Sequence, residues 1–255
     1  MGRRFTRHAR AHDPISIVIP TLNEERCLPR LLESLSSGGP RCLDVIVVDG
    51  RSEDGTCEIV ERFRSSVPSH VSLRLLSSPV RNVSAQRNQG AAVARHETLL
   101  FLDADVVVES WPQLDTLLDR FHRRGLAAAS CRFRPVEHDL RAEAYYALLY
   151  CFHKLVERWD PYAMGACIVT TREVFRYCGG FDPRLQVNED ANFCRKAACL
   201  GPFRILPVSV RVSARRFTKH GYLRMGMRYV RIYLDRRFRG EAYDQRHAYE
   251  YGNYE

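Results

Sequence analysis

Four short apolar runs separated by helix-length segments constrain this chain more than any other feature: residues 15–19 (ISIVI), 43–48 (LDVIVV), 71–76 and 99–102 (LLFL). Each is too short for a helix core and long enough for a buried strand. Between the first two, Leu28, Leu31, Leu32 and Leu35 recur at helical spacing until Ser36-Ser37-Gly38-Gly39-Pro40 stops the pattern. Further helices are expected over about 57–63 and over the alanine-rich 84–95. A β-α-β alternation with such short connections predicts an α/β domain, a parallel sheet with helices on both faces. After Val108 the pattern loosens. Helices are expected over 111–123, 142–158, 172–177 and 189–200, and strands over 127–133, 166–171 and 205–212. Without repeats or a low-complexity linker, one domain spans 14–212. A basic, frayed tail (1–13) precedes it, and a basic, aromatic extension (213–255) follows.

At 255 residues, 45% hydrophobic and 27% charged, the chain can bury a real core and is not disordered overall. No apolar stretch approaches the ~18–20 residues of a spanning helix, and MGRRFTRHARAHD lacks the apolar segment of a secretory signal. The nine cysteines form no C-x-x-C and no zinc spacing, which reads as reduced thiols in a cytoplasm. The formal charge of +9 is uneven: between Arg204 and Arg239 the single acid is Asp235. Such a surface favours polyanions, anionic headgroups or phosphorylated ligands.

The fourth strand ends in Asp103-Ala104-Asp105. Parallel α/β sheets present ligand sites at the carboxyl ends of their strands, and alternation along a strand turns two such carboxylates the same way with Ala104 aside. Beside an apolar strand the pair is costly unless a divalent cation neutralises it, and oxygen ligands suit Mg²⁺ or Mn²⁺. Taken alone, D-x-D also fits a helix N-cap or an Asp-rich turn.

Other strand ends carry ordered motifs. These are 17–25 (IVIPTLNEE), 47–56 (VVDGRSEDGT), 86–91 (QRNQGA), 100–105 (LFLDAD), Gly179-Gly180-Phe181-Asp182 and Asn188-Glu189-Asp190. The set resembles the inverting glycosyltransferases of family 2, with motifs in family order from about Ile15 to Arg216. The resemblance implies a GT-A fold, a Rossmann-like single domain with a mixed, mostly parallel sheet. It also implies a nucleoside-diphosphate-sugar donor (UDP-, GDP- or TDP-linked) and Mn²⁺ or Mg²⁺.

Residue by residue, the resemblance implies that Asp105 and Asp103 meet the metal, Asp103 also facing the ribose. Asp49 would hold the base or ribose, with capping of the next turn as the alternative. Pro20, Thr21 and Glu24 would line the nucleotide pocket, Glu24 being equally readable as a first-turn helix acid. Arg81 and Arg87 would approach the diphosphate, the alternative being solvated helix arginines. Gly165 and Ala104 would lie against the donor sugar. Asp190 would be the base, with Glu189 as acceptor or positioning contact, although both also suit a helix N-terminus. His220 would be a third metal ligand or an ordinary surface residue. Ser52 and Asp54 read as turn and capping residues.

The sequence departs from the family pattern at Arg51, where a small residue is usual. No Q-x-x-R-W follows Glu189-Asp190, so processive polymer synthesis is unsupported. Ser213-Ala214-Arg215-Arg216-Phe217 is similar to small soluble members whose acceptors are often unassigned. Residues 222–239 place Leu223, Met227, Val230 and Leu234 at helical spacing among arginines. That stripe suits peripheral contact with the inner face of an anionic membrane, or packing on the domain or on a second copy as a homodimer. Two other function classes compete. A nucleotidyltransferase wants a Gly-rich basic loop after the first strand, which residues 20–26 do not supply. A basic nucleic-acid-binding module is disfavoured by carboxylates at the mouth, so no nucleic-acid partner is expected.

Overall fold

The apolar runs form strands and the spaced leucines form helices. The computed structural model describes residues 13–37, 41–137 and 139–243. In chain order the elements are β1 (Ile15–Thr21), α1 (Leu28–Ser36), β2 (Leu43–Asp49), α2 (Thr56–Arg64), β3 (Val71–Ser77), α3 (Val83–Val93) and β4 (Thr98–Leu102). They continue with β5 (Val106–Val107), α4 (Trp111–Arg123), β6 (Ala128–Pro135), α5 (Leu140–Val156), β7 (Cys167–Thr171) and α6 (Arg172–Tyr177). The last are α7 (Glu189–Ala198), β8 (Phe203–Val212), α8 (Arg215–His220) and α9 (Tyr222–Arg239). The expected tail before residue 13 and the end of the extension after 243 lie outside the described residues.

The strands form one sheet in the order β3-β2-β1-β4-β7-β6-β8-β5. β3, β2, β1 and β4 are parallel, as is β6 to β8, whereas β7 runs antiparallel to both β4 and β6. The sheet is therefore mixed, as expected. β5 pairs antiparallel with β8 through Val106↔Val212 and Val107↔Arg211, a short strand that the apolar run after Asp105 did not announce.

Period-two alternation divides the core between the two faces. Ile15, Ile17 and Ile19 join Leu28, Leu31 and Leu35 of α1 and Leu117 and Phe121 of α4. Val18, Ile46 and Phe101 meet Ala91 of α3, Val174 and Phe175 of α6, and Phe193 of α7. Pro20 is tolerated in an interior strand because β1 pairs with β4 only as far as Val18↔Phe101. The helix expected to reach Arg95 stops at Val93. Ala94 is extended (ψ 137°), and the Arg95 N–H donates to Ser16 and to the buried Asp44.

Ala214, Phe217 and Met225 join the core cluster beneath α1 and α5. The face of α9 that packs is not the expected one. Met225 and Ile232 are buried, whereas Leu223, Met227, Val230 and Leu234 are exposed. Aromatic packing decides this, because Phe217 stacks on Tyr222 at 5.9 Å and Tyr145 tilts against Phe217 at 4.6 Å. No helix among the described residues is long and apolar enough to cross a membrane.

Candidate active site

The loops that follow β1 and β2 are laced to each other. The Asn23 N–H donates to Ser52 Oγ and the Glu53 N–H to Asn23 Oδ1; the Glu25 N–H donates to Asp54 and the Gly55 N–H to Glu25. Asn23 (φ 55°) and Arg51 (φ 66°) take the left-handed conformation that lets both chains turn here. Asp49 is 3% exposed, and its carboxylate accepts from Thr21 Oγ1, Ser52 Oγ and the Ser52 N–H. That is the capping arrangement. Asp54 likewise accepts from the Thr56 N–H and hydroxyl, so Ser52 and Asp54 serve the turn as expected.

Helix α3 runs beneath these loops. Gln86 Nε2 donates to Thr21 O at 2.6 Å and Val48 O at 2.8 Å, tying the ends of β1 and β2. Asn88 clamps Phe181 from both sides: its Nδ2 donates to Phe181 O and its Oδ1 accepts from Phe181 N. Gly179 and Gly180 turn there with positive φ, and a Cβ on Gly180 would lie 2.6 Å from Asn88 Oδ1.

Between them, Arg87 is 2% exposed. It donates to Asp103 at 2.7 Å, Glu189 at 3.0 Å and Gly165 O at 3.3 Å, and lies 5.1 Å from the Phe181 ring centroid. Burial opposes its charge, but the facing carboxylates more than compensate and hold the guanidinium ionised. Asp190 lies beside this brace at the start of α7, where Asn188 (φ 62°) opens the helix. Burial first, then the neighbouring Glu189, pushes the Asp190 carboxyl well above the ordinary range, against the pull of Arg87.

A second arginine holds the other side. Arg215, the first residue of α8, contacts both oxygens of Glu24 at 2.6 and 2.7 Å and lies 3.9 Å from Asp105. Burial raises Glu24 from 4.5 to about 7 despite Arg215. Burial and then Asp103 raise Asp105 from 3.8 to about 6. Asp103 raises Glu24, Asp105 and Asp190 alike, so it stands among all three. Five carboxylates thus stand against the guanidiniums of Arg87 and Arg215, with Arg216 also acting on Asp105. Such a donor set is short of positive charge and fits a divalent cation. The described residues contain no group of three His, Cys, Asp or Glu placed to hold a metal, so further ligands would come from phosphate oxygens and water.

The model of the family described as "Glycosyl transferase family 2" matches residues 16–177, more than half of the chain, and takes in the site residues from Thr21 to Gly165. The chain belongs to glycosyl transferase family 2. A 4,4'-diaponeurosporenoate glycosyltransferase of Staphylococcus haemolyticus is 31% identical over 142 residues, covering 49% of this chain and 34% of that one. A PGL/p-HBAD biosynthesis glycosyltransferase of Mycobacterium bovis is 32% identical over 102 residues, covering 40% and 38%. The chain spans well under half the length of these curated relatives. Among solved structures, a mannosyltransferase from Pyrobaculum calidifontis in complex with GDP-Man and Mn²⁺ superposes with a TM-score of 0.67 at 21% identity, covering 85% of this chain and 64% of that one. Staphylococcus aureus TarS 1-349 in complex with UDP gives 0.59 at 20% identity, covering 81% and 62%. These likenesses show the GT-A fold.

Within that frame this family 2 chain brings Asp103, Asp105, Glu24, Glu189 and Asp190 together, and several expected contacts take other positions. Arg87, expected to approach a diphosphate, is buried with its guanidinium bonded to Asp103 and Glu189. Pro20 and Thr21 are buried in β1, so their side chains do not line a pocket. Ala104 packs into the core at 3% exposure, which leaves only its backbone to face a ligand. A Cβ on Gly165 would lie 2.7 Å from Arg87 and 3.2 Å from Asp190, so Gly165 makes room for both side chains. Asp103 and Asp105 lie in a turn after β4, closed by the Val106 N–H on Asp103 O, rather than within a strand. His220 is exposed at the last position of α8 and joins no three-ligand group. Arg81 is half-exposed and pairs with Glu53 and with the Arg51 carbonyl at the rim. Sequence reasoning assigned no role to Arg215. Its signal was the doubled arginine of Ser213–Phe217, with no local partner to say what it meets.

Proposed function

We propose that this chain is an inverting glycosyltransferase that moves a sugar from a nucleoside-diphosphate donor to an acceptor hydroxyl, dependent on Mn²⁺ or Mg²⁺. The observation that carries the reading is the shared cluster of Asp103, Asp105, Glu24, Glu189 and Asp190, braced by Arg87 and Arg215 at the strand ends. Asp105 and Asp103 would hold the cation, which when bound supplies positive charge to the departing diphosphate. Arg215, already between Glu24 and Asp105, is placed to donate to phosphate oxygens on the same side.

Asp190 takes the proton of the acceptor hydroxyl. The acceptor oxygen then forms its bond to the anomeric carbon as the bond to the diphosphate oxygen breaks on the opposite face. A carboxyl raised by burial toward neutral pH is matched to that task. Arg87 holds Glu189 in place beside the base. The loop from Leu22 to Glu25, laced to residues 52–55, forms the nucleoside side with Asp49. Arg81 is at its rim. The mannosyltransferase and TarS structures contain GDP-Man and UDP, which supports a nucleotide-sugar donor here.

Incubation with UDP-, GDP- and TDP-sugars tests the reading by the product released. Free nucleoside diphosphate formed only with divalent metal, and lost in Asp190→Asn, is expected. Release of pyrophosphate from a nucleoside triphosphate and sugar phosphate would instead assign a nucleotidyltransferase.

A further inference from the structure

Helix α9 turns a second apolar face away from the molecule. Leu223, Met227, Val230, Leu234 and Phe238 are 77, 59, 59, 45 and 80% exposed. Their spacing of four, three, four and four residues places them on one helical stripe, opposite the buried Met225 and Ile232. Arg224, Arg231, Arg237 and Arg239 are exposed along the same helix. The acid on it, Asp235, lies 3.9 Å from Arg231 and 3.6 Å from Arg239, so the helix surface remains net positive.

The neighbouring helix repeats the pattern. α5 packs on α9 through Phe152 against Tyr233 (5.2 Å) and Tyr145 against Tyr222 (5.8 Å). It exposes Leu140 (87%), Leu148 (68%) and Leu155 (66%), with Trp159 (75%) just beyond its end. An apolar stripe flanked by arginines, with an exposed indole nearby, has the composition of an element that lies in the headgroup region of a bilayer. A two-fold pairing of two copies across α9 would set the same arginines against themselves. Anionic headgroups complement them.

We propose that the outer faces of α9 and α5 form a docking surface for an anionic lipid bilayer, with the apolar stripe entering the acyl boundary and the α9 arginines at the phosphates. The proposal does not depend on the transferase reading, because its test contains no nucleotide.

The test is co-sedimentation of the full chain with phosphatidylcholine vesicles, with and without about one third phosphatidylglycerol. Partitioning at least about tenfold stronger into the anionic vesicles, weakened by salt, is expected. Met227→Asp/Val230→Asp and, separately, Arg224→Gln/Arg231→Gln/Arg237→Gln should each reduce it about tenfold with an unchanged thermal melt. If the aspartate pair unfolds the chain, Leu223→Gln/Phe238→Gln replaces it. Equal partitioning into both vesicle types, no partitioning, or binding indifferent to these variants overturns the proposal. So does a concentration-dependent dimer that Met227→Asp/Val230→Asp dissociates in a protein that ignores vesicles, which would assign the face to a second copy.

Discussion

Arg87 carries two acids and a carbonyl on one buried guanidinium, so its removal leaves Asp103 and Glu189 without their counter-charge. Breaking a buried pair by deleting one partner costs about 3–5 kcal/mol. Arg87→Met is expected to lose stability in that range in urea unfolding. Arg87→Lys should recover only part of it, because one ammonium cannot reproduce the two-sided guanidinium. Asp190→Asn should leave stability and nucleotide affinity nearly unchanged and reduce kcat by about 10²–10⁴, the usual worth of a positioned base. The acidic limb of the wild-type kcat/KM profile should lie above the ordinary carboxylate range, because burial raises the Asp190 carboxyl. Both carboxylate pairs, Asp103/Asp105 and Glu189/Asp190, were legible as short motifs, and the fold sets them in one cluster around Arg87 and Arg215. The acids that Arg87 meets, Asp103 and Glu189, were not legible, since an arginine in a helix reads alike whether it meets phosphate or an internal acid. Sequence reading passed over Arg215, whose partner Glu24 is 191 residues away.

Among the elements, α3 is the one that organises the site. Gln86 ties two strand ends, Asn88 fixes the Gly179–Phe181 turn, and Gly90 lets the helix approach the sheet. A Cβ on Gly90 would stand 2.4 Å from Val18 Cγ1 and 3.2 Å from Val48 Cγ2. Gly90→Ala therefore overpacks a helix–strand contact and is expected to destabilise by about 1–3 kcal/mol, despite alanine's better helix propensity. A denaturant midpoint shifted downward with an unchanged m-value would show it. Seven of the eight strands among the described residues and most of the helices were legible, because periods of two and 3.6 are written in single residues, whereas the two-residue β5 and the short α8 were not. Strand direction was not. β7 reads as an ordinary apolar strand, and only its neighbours make it antiparallel. Helix α9 has two apolar faces, one aliphatic and one aromatic. The aromatic face packs because Phe217, Tyr145 and Phe152 offer rings to it, a choice made by residues far away in sequence.

The whole molecule gathers its carboxylates at one end of the sheet, and that has a stability consequence. Glu24 is raised above its unfolded value, from 4.5 to about 7. Between those values the native state therefore holds a proton that the unfolded chain has released. His122 and His153, lowered by burial from 6.5 to about 4, act in the opposite sense across the same window, so the Glu24 contribution is read as a difference. The stability of metal-free wild type relative to Glu24→Gln is expected to fall as pH rises from about 4.5 to about 7 and then level off, by thermal unfolding of both proteins across that window. We propose that Asp103 and Asp105 make a cation-dependent nucleotide site. Calorimetric titration of UDP, GDP and TDP, each with and without Mn²⁺, into wild type and Asp105→Ala tests this. One nucleotide is expected to bind only with metal, and Asp105→Ala to abolish the binding. Metal-independent binding of equal strength in both proteins, or no binding of any of the three, would contradict it.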